Sequence, residues 1–190
     1  MKSPIFYLML LLLMCEAFSG MMIISQASAV GMEMIGLSVA AAGIAVSGLA
    51  FFKLVGRILA GFLSDKIGRV QTLTLACFLS VGGNVLLYLC GKGDLILFYI
   101  GISIVGICFG AFMGVFPGFT ADQFGAAHNS VNYGIMFIGF AMAGYFGPTI
   151  MKNVYYKNGF YTQAFLIAAG LSVAGIILTV LYRMCKKREK

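Results

Sequence analysis

Two cationic residues inside a long apolar segment are the chain's strongest candidates for chemistry. Lys53 and Arg57 are four residues apart, so on a helix both project from one face, one turn apart. An ionisable group at membrane depth costs at least about 2.5–3.5 kcal/mol on insertion scales, which favours a functional role. Two cations on one face favour the binding of an anion. The planar guanidinium of Arg57 can hold both oxygens of a carboxylate.

A third ionisable residue in an apolar segment, Glu16, leaves two interpretations open. In the first, Glu16 and Lys53 form a buried ion pair that joins two helices. In the second, the two cations bind an anion, and Glu16 pairs with Lys53 only when that anion is absent, or carries a proton. At about 1.5 Å of rise per residue, both side chains are expected near the middle of a bilayer. Snorkelling toward the interface is a further alternative for Arg57.

A short charged loop separates two of the apolar segments. Residues 61–69 read Gly-Phe-Leu-Ser-Asp-Lys-Ile-Gly-Arg. Asp65 falls at the C-terminal end of a helix, where the dipole disfavours an anion, so we expect it to pair with Arg69 or with the N-terminus of another helix. A cluster of this kind would hold one side of the helix bundle closed and break when that side opens. The alternative is a static cap of solvated charges. The predicted gating loop comprises Gly61, Asp65, Lys66, Gly68, Arg69 and, from a later helix end, Asp122.

The composition places these residues in a bilayer. Hydrophobic residues make up 61% and charged residues 10% of the 190 residues, whereas soluble domains carry about 25% charged residues. One membrane-spanning helix needs about 20 apolar residues, so six spans fit. We therefore predict an all-α membrane protein with one six-helix transmembrane bundle over residues 1–185 and a basic tail, 186–190. The predicted spans are residues 4–30, 37–63, 70–91, 95–120, 131–151 and 160–183.

Basic residues near the predicted helix ends predict the orientation. One side would hold Lys2, Lys66, Arg69, Arg183, Lys186, Lys187, Arg188 and Lys190, and the other Lys92, Lys152 and Lys157. This bias predicts a multi-pass protein of the cell membrane, plasma or inner, with both termini and the charged loop in the cytoplasm. The net charge of +7 then reflects topology and attraction to anionic lipid rather than binding of nucleic acid.

The remaining polar residues do not suggest an enzyme. His128 is the single histidine of the sequence and falls in a predicted loop. No Ser/His/Asp set or phosphate-binding loop is visible, and the five cysteines lack metal-ligand spacing. We therefore expect neither catalysis nor a metal or other cofactor.

Small residues recur at helical spacing and predict close helix packing. They are Gly106, Gly110, Gly114 and Gly118 in the fourth span and Gly139, Ala143 and Gly147 in the fifth. Stripes of this kind let two helix backbones approach closely in lipid. Packing is the favoured interpretation; the functional alternative is that smooth contacts let helices rock during transport.

The charged loop resembles the cytoplasmic signature of the major facilitator superfamily, Gly-x-Leu-[Ala/Ser]-Asp-[Lys/Arg]-x-Gly-Arg-[Lys/Arg]. Only the last position departs, where Val70 replaces a base. Other stretches are similar to the oxalate/formate antiporter family within that superfamily. They are Ile-Ser-Gln-Ala-Ser at 24–28, Gly-Arg-Ile-Leu-Ala-Gly at 56–61, Phe-Thr-Ala-Asp-Gln-Phe-Gly at 119–125, Tyr-Gly at 133–134 and Gly-Tyr-Phe-Gly-Pro at 144–148.

This resemblance implies a secondary carrier that works by alternating access. Such carriers have twelve spans in two bundles, and the six spans here correspond to the second bundle. Arg57 matches the family's eighth-helix arginine, which is implicated in binding the substrate carboxylate. Phe137 and Phe140 fall where the eleventh helix lines the cavity. The implied substrates are small organic anions, mono- or dicarboxylates.

The sequence departs from the oxalate pattern on the fifth span. Oxalate carriers have a lysine where this chain has Phe140, and no lysine occurs between Val131 and Met151. We therefore hypothesise either a preference for monocarboxylates or replacement of the missing charge by Lys53. Antiport and proton symport both stay open.

A site between two bundles needs a second six-helix half. The expected partner is a separate N-terminal half or a second copy of this chain, unless the chain is a piece of a longer carrier. The lipid bilayer is the other partner. A different interpretation is a non-transporting membrane interaction protein or an inactive transporter remnant, whose buried charges only pair helices.

Overall fold

The computed structural model describes residues 4–188 as a bundle of six long helices, and each is long and apolar enough to cross a membrane. They are α1 (Pro4–Val30), α2 (Val39–Ile67), α3 (Arg69–Leu89), α4 (Leu95–Phe124), α5 (Asn129–Asn158) and α6 (Thr162–Arg188). A π-helical turn, Gly31–Ile35, extends α1, and a 3-10 turn, Ala126–His128, precedes α5. The predicted all-α membrane fold is confirmed. Lys2, Lys190 and the end of the predicted tail lie outside the described residues.

Glycines in the left-handed region end several helices. Gly68 ends α2 with a φ of 92°, and Gly159 ends α5 with a φ of 73°. Helix α5 therefore continues to Asn158, beyond the predicted limit at Met151. The residues after Met151 are polar and aromatic, so hydropathy falls there, but the backbone stays helical until a glycine permits the turn.

The helix pairing has the pattern of an inverted repeat of three plus three helices. Helix α2 packs on α4, and α5 packs on α1. In the same way α3 packs on α4, and α6 packs on α1, while α3 and α6 pack on each other. Exchanging the first three helices with the last three leaves this pattern unchanged, which is the symmetry of major transporter folds.

Two apolar cores lie at opposite ends of the bundle. The core at the end of the charged loop contains Leu13, Phe112 and Phe116. The core at the other end contains Phe98 and Phe165. A layer of buried polar side chains from α1, α3 and α6 lies between them, comprising Glu16, Ser19, Ser80, Asn84 and Ser172.

The glycine stripe of α4 presses that helix onto the backbone of α2. A methyl group added at Gly110 would run into the carbonyl oxygen of Lys53, and one added at Gly114 would lie 2.8 Å from the carbonyl oxygen of Arg57. On the other side of the bundle, a methyl at Gly139 of α5 would lie 3.2 Å from Met14 of α1. Both stripes therefore serve close helix packing, and that of α4 fixes the segment that bears the two cations.

Candidate functional site

The two cations of α2 lie on a partly open face of the bundle. Lys53 is half-buried and Arg57 is exposed. The Lys53 Nζ lies 5.7 Å from the ring centroid of Phe109 on α4, which is within the range of a cation–π interaction. Arg57 lies within electrostatic range of Tyr133 on α5. Among residues 4–188, the two ion pairs found do not involve Lys53 or Arg57.

Four half-buried aromatic rings connect the surroundings of one cation to those of the other. Tyr133 and Phe137 have ring centroids 5.2 Å apart, and Phe137 stacks on Phe140 at 4.6 Å. Phe140 in turn lies 6.0 Å from Phe109. We call Tyr133, Phe137, Phe140 and Phe109 the aromatic ladder. With Lys53 beside Phe109 and Arg57 near Tyr133, the ladder forms an apolar wall with a cation toward each end.

Sequence reasoning missed two members of this wall. Tyr133 is four residues before Phe137, so helical spacing alone could have placed it on the same face. Phe109 is different, because it belongs to α4, whose sequence is apolar on all sides. Its position follows from the stripe at Gly106 and Gly110, which sets the rotation of α4 against α2.

Glu16 lies away from this wall. Its side chain is 4% exposed, and the carboxyl group lies beside Cys77 and Ser80 of α3 and Ser172 of α6. A methyl group added at Gly175 of α6 would lie 2.9 Å from its Oε1. Glu16 therefore does not form the ion pair with Lys53 that one interpretation of the sequence required, because it faces α3 and α6 rather than α2.

The charged segment predicted as a loop is helical up to Ile67 and again from Arg69, so only Gly68 turns the chain. Its side chains form a cluster centred on Arg69. Its Nε lies 3.1 Å from Asp122 Oδ2, and its Nη1 lies 3.6 Å from Asp65 Oδ1. The same Nη1 donates a hydrogen bond to Ser64 Oγ at 2.8 Å, a contact that the sequence did not suggest. The carboxylates are 71% exposed in Asp65 and 59% in Asp122. Exposed pairs contribute about 0–1 kcal/mol each, so the cluster can break at small cost.

The other predicted members of the gating loop lie around this cluster. Gly68 turns the chain with a positive φ, a conformation that costs other residues steric strain. The carbonyl of Gly61 accepts a hydrogen bond from Ser64 at 2.7 Å. The Lys66 Nζ lies over the Phe62 ring at 4.4 Å, so it packs on its own helix instead of joining Arg69 and the two aspartates.

Contacts with α6 support the charged end of α4. Tyr182 donates a hydrogen bond to Gln123 Oε1 at 2.6 Å, and Lys186 donates one to the same oxygen at 3.1 Å. Gln123 follows Asp122 directly, so the cluster at Arg69 is tied through α4 to the end of α6.

A tyrosine–carboxylate contact joins α1 and α6 at the end of the bundle opposite the Arg69 cluster. Tyr161 donates a hydrogen bond to Glu33 Oε2 at 2.7 Å, and its ring stacks on Tyr155 at 4.5 Å. Burial, followed by the Glu33 hydrogen bond, raises the pKa of Tyr161. The phenol therefore stays protonated at neutral pH and holds the end of α1 against the start of α6.

Known proteins resemble this chain in sequence. The sequence profile of the Major Facilitator Superfamily matches residues 9–190. The uncharacterized MFS-type transporter YhjX of Escherichia coli (strain K12) is 29% identical over 142 residues, which are 75% of this chain and 35% of that protein. The oxalate:formate antiporter of Oxalobacter formigenes is 27% identical over 150 residues, or 77% of this chain and 35% of that protein. The chain thus spans about a third of the length of these relatives.

Solved structures of transporters share the fold. An auto-inhibited POT family peptide transporter superimposes with a TM-score of 0.80 at 17% identity, over 96% of this chain and 37% of that one. The peptide transporter POT in complex with alafosfalin gives a TM-score of 0.82 at 16% identity, over 94% of this chain and 38% of that one. At these identities the likeness concerns the fold alone.

Proposed function

This chain belongs to the major facilitator superfamily, and from that premise we propose that it carries small organic anions across a membrane. The proposed process is secondary active transport of mono- or dicarboxylates by alternating access, with the chain as half of a twelve-helix carrier. Within this proposal, Arg57 and Lys53 bind the carboxylate, and Phe137 and Phe140 contact the body of the substrate.

The wall of two cations and four aromatic rings carries the proposal. Neither Lys53 nor Arg57 is among the ion pairs of residues 4–188, so both charges are open to an anion from outside the chain. Apolar rings beside a cation lower the local dielectric constant, and an ion contact is stronger where the dielectric constant is low. The name of the Oxalobacter formigenes relative gives two carboxylates, oxalate and formate, as its substrates, which supports this anion class.

Lys53 bears on the choice between mono- and dicarboxylates. In this chain Phe140 stands where resemblance to oxalate carriers implies a lysine, so a dianion would meet one cation fewer on α5. Lys53 approaches the same region from α2, because its Nζ lies over Phe109 and Phe109 packs on Phe140. We infer that either Lys53 supplies the second charge or the protein prefers monocarboxylates.

The open face implies a second bundle. Helices α2 and α5 are the least buried of the six spans, and they carry all four proposed substrate-binding residues. A site on such a face has one wall, whereas alternating access needs two walls that move against each other. The proposed partner is therefore a second six-helix bundle, either a separate N-terminal half or a second copy of this chain.

The cluster at Arg69 is the proposed gating contact. Its individual pairs are weak and exposed, so it can form in one state of a transport cycle and break in another. With the positive-inside bias, we place this loop and both termini in the cytoplasm of a plasma or inner membrane. The alternative is an inactive remnant whose buried charges only pair helices. Lys53 and Arg57 do not support it, because neither forms an ion pair among the described residues.

Counterflow of labelled small carboxylates into liposomes that contain this chain tests the proposal. We expect saturable exchange that Arg57→Gln abolishes. The matched control is Arg183→Gln, which removes an exposed arginine of α6 that contacts Thr74, away from the ladder. If folded protein gives no exchange but binds carboxylates in an Arg57-dependent way, the second bundle is missing. If the folded protein neither binds nor exchanges any small carboxylate, the proposal is contradicted and the inactive remnant is favoured.

A further inference from the structure

The polar layer between the two apolar cores has a composition that the anion site does not explain. It comprises Glu16 and Ser19 of α1, Ser80 and Asn84 of α3, and Ser172 of α6, all of them buried. It lies where α1, α3 and α6 meet, whereas the aromatic ladder and the two cations belong to α2, α4 and α5. A cluster of five buried polar groups in a membrane bundle requires a full account of its hydrogen bonds.

The hydroxyl and amide groups of this layer bond to one another. Ser172 donates to Ser19 Oγ at 3.1 Å, and Ser80 and Ser172 have their Oγ atoms 2.9 Å apart. Asn84 Nδ2 donates to Ser19 Oγ at 3.2 Å and to the Ser80 carbonyl at 2.8 Å. A hydroxyl has one hydrogen to donate. With this donor order, the Ser172 hydrogen goes to Ser19 and the Ser80 hydrogen goes to Ser172. Turning either hydroxyl toward Glu16 would break one of these contacts.

Glu16 is thus left with an unsatisfied oxygen. Its Oε1 is buried and has no hydrogen-bond partner, although Ser80 and Ser172 lie beside the carboxyl group. The titratable groups that face Glu16 are thiols, namely Cys15 of α1, Cys77 of α3 and Cys108 of α4. Helix α6 presents Gly175 and Ser172, which do not titrate. Glu16 is absent from the ion pairs of the described chain.

A carboxylate in these surroundings would carry an uncompensated charge, which is the costliest arrangement for a buried group. A protonated carboxyl group has one O–H donor in addition to its acceptors. The oxygens of Ser80 and Ser172 retain lone pairs that can accept from that O–H. One proton therefore removes the charge and also gives the Glu16 carboxyl group a donor for a serine oxygen.

We propose that Glu16 with Ser80 and Ser172 forms a proton-binding site, separate from the anion site of α2, α4 and α5. Glu16 holds the proton, and its O–H donates a hydrogen bond to a serine oxygen. The serine oxygens are in direct contact at 2.9 and 3.1 Å, so a metal cation would have to push them apart, whereas a proton fits between existing atoms. This site goes beyond the proposed anion transport and stands on its own, whether or not the chain moves carboxylates.

Proton loss from this site would place a negative charge where three helices meet. Helix α1 also packs through Met14 and Met21 against Gly139 and Gly147 of α5, the helix that carries Phe137 and Phe140. A change in how α1 packs on α3 and α6 therefore reaches the ladder directly, because α1 packs on α5 and Gly20 of α1 lies against the ring of Phe109. This gives the chain a physical link between proton occupancy and the anion site.

Infrared spectroscopy of the full chain in lipid nanodiscs at neutral pH tests the site directly. We expect an absorption band of a protonated carboxyl group that Glu16→Gln removes. The matched control is Glu33→Gln, which changes the carboxylate bonded to Tyr161 at the end of α1 and should leave the band in place. Ser80→Ala and Ser172→Ala should shift the frequency of the band, because one or both serines accept the proton's hydrogen bond.

Several outcomes would overturn the proposal. They are absence of the band in the unchanged protein, its survival in Glu16→Gln, and an unshifted band in both serine variants. Loss of the band on addition of sodium at constant pH would reassign the site to a sodium ion. If Glu16→Gln does not fold, the unchanged protein labelled with carbon-13 glutamate takes the place of that variant in the test. A band that does not shift on labelling does not come from a glutamate and rejects Glu16.

Discussion

The ionisable residues inside the spans form two sets, which differ in the exposure of their charged groups and in the side chains around them. Lys53 and Arg57 lie on a face that is partly open, beside aromatic rings, with no carboxylate paired to them among residues 4–188. Glu16 is enclosed by α3 and α6, 4% exposed, with serines and thiols around it. The sequence placed Glu16 and Lys53 at similar depth. The side of the bundle that a residue faces, more than its depth, therefore decides whether its charge is available to a ligand.

The largest expected effect is the loss of anion binding in Arg57→Gln. A hydrogen bond to a charged group contributes about 1.5–3 kcal/mol, so two such bonds from one guanidinium correspond to a loss of affinity of about a hundredfold or more. Equilibrium binding of labelled oxalate and formate to purified protein measures it. Arg183→Gln should bind as the unchanged protein does. Equal affinity of Arg57→Gln and Arg183→Gln would show that the open cations are not the anion site.

The next effect concerns the packing that places the cations. Gly110→Val should destabilise the fold by about 1–3 kcal/mol, because its side chain would overlap the Lys53 carbonyl and separate α4 from α2. A lower Tm and aggregation during size-exclusion chromatography report it. Gly48→Val is the matched control, since nothing lies within 4 Å of a methyl group added at Gly48. Equal Tm values for the two variants would reject the glycine stripe as the determinant of this contact.

A smaller effect is expected at Lys53. If Lys53 supplies the second charge, Lys53→Met should reduce affinity for dicarboxylates about tenfold, or about 1.4 kcal/mol, and change monocarboxylate affinity little. Methionine keeps the length of the side chain and its contact with Phe109. Competition between oxalate and formate for one labelled ligand measures the ratio. An unchanged ratio rejects replacement of the missing lysine by Lys53 and leaves a preference for monocarboxylates.

The smallest effects are expected at the cluster around Arg69. Asp122→Asn should lower the free energy of unfolding by at most about 1 kcal/mol, and Asp65→Asn by less, because its contact with Arg69 is longer. Both differences should shrink at high ionic strength, since salt screens exposed charges. Thermal unfolding at low and high salt compares the two variants. A larger loss of stability in Asp65→Asn than in Asp122→Asn would contradict the assignment of Asp122 as the main partner of Arg69.

The sequence alone predicted the six apolar spans, the charged motif at residues 61–69 and the shared face of Lys53 and Arg57, whereas the loop expected at that motif is a turn at Gly68 alone. Each of these depends on local properties, namely hydropathy, a short motif and a helical repeat of 3.6 residues. It also indicated the family, which the match over residues 9–190 confirms. The end of α5 was beyond such reasoning, because a glycine conformation stops that helix after hydropathy has already fallen.

The tertiary structure decided what each face of each helix touches. It turned Glu16 toward α3 and α6, gathered the serine layer, and brought Phe109 of α4 to the rings of α5. Periodicity could not predict this for α1 and α4, because both are apolar on all sides. In a soluble protein the polar face of a helix marks its outside, but lipid makes inside and outside equally apolar. The rotation of a helix in a membrane bundle is therefore set by packing, here by glycines that meet a neighbouring backbone.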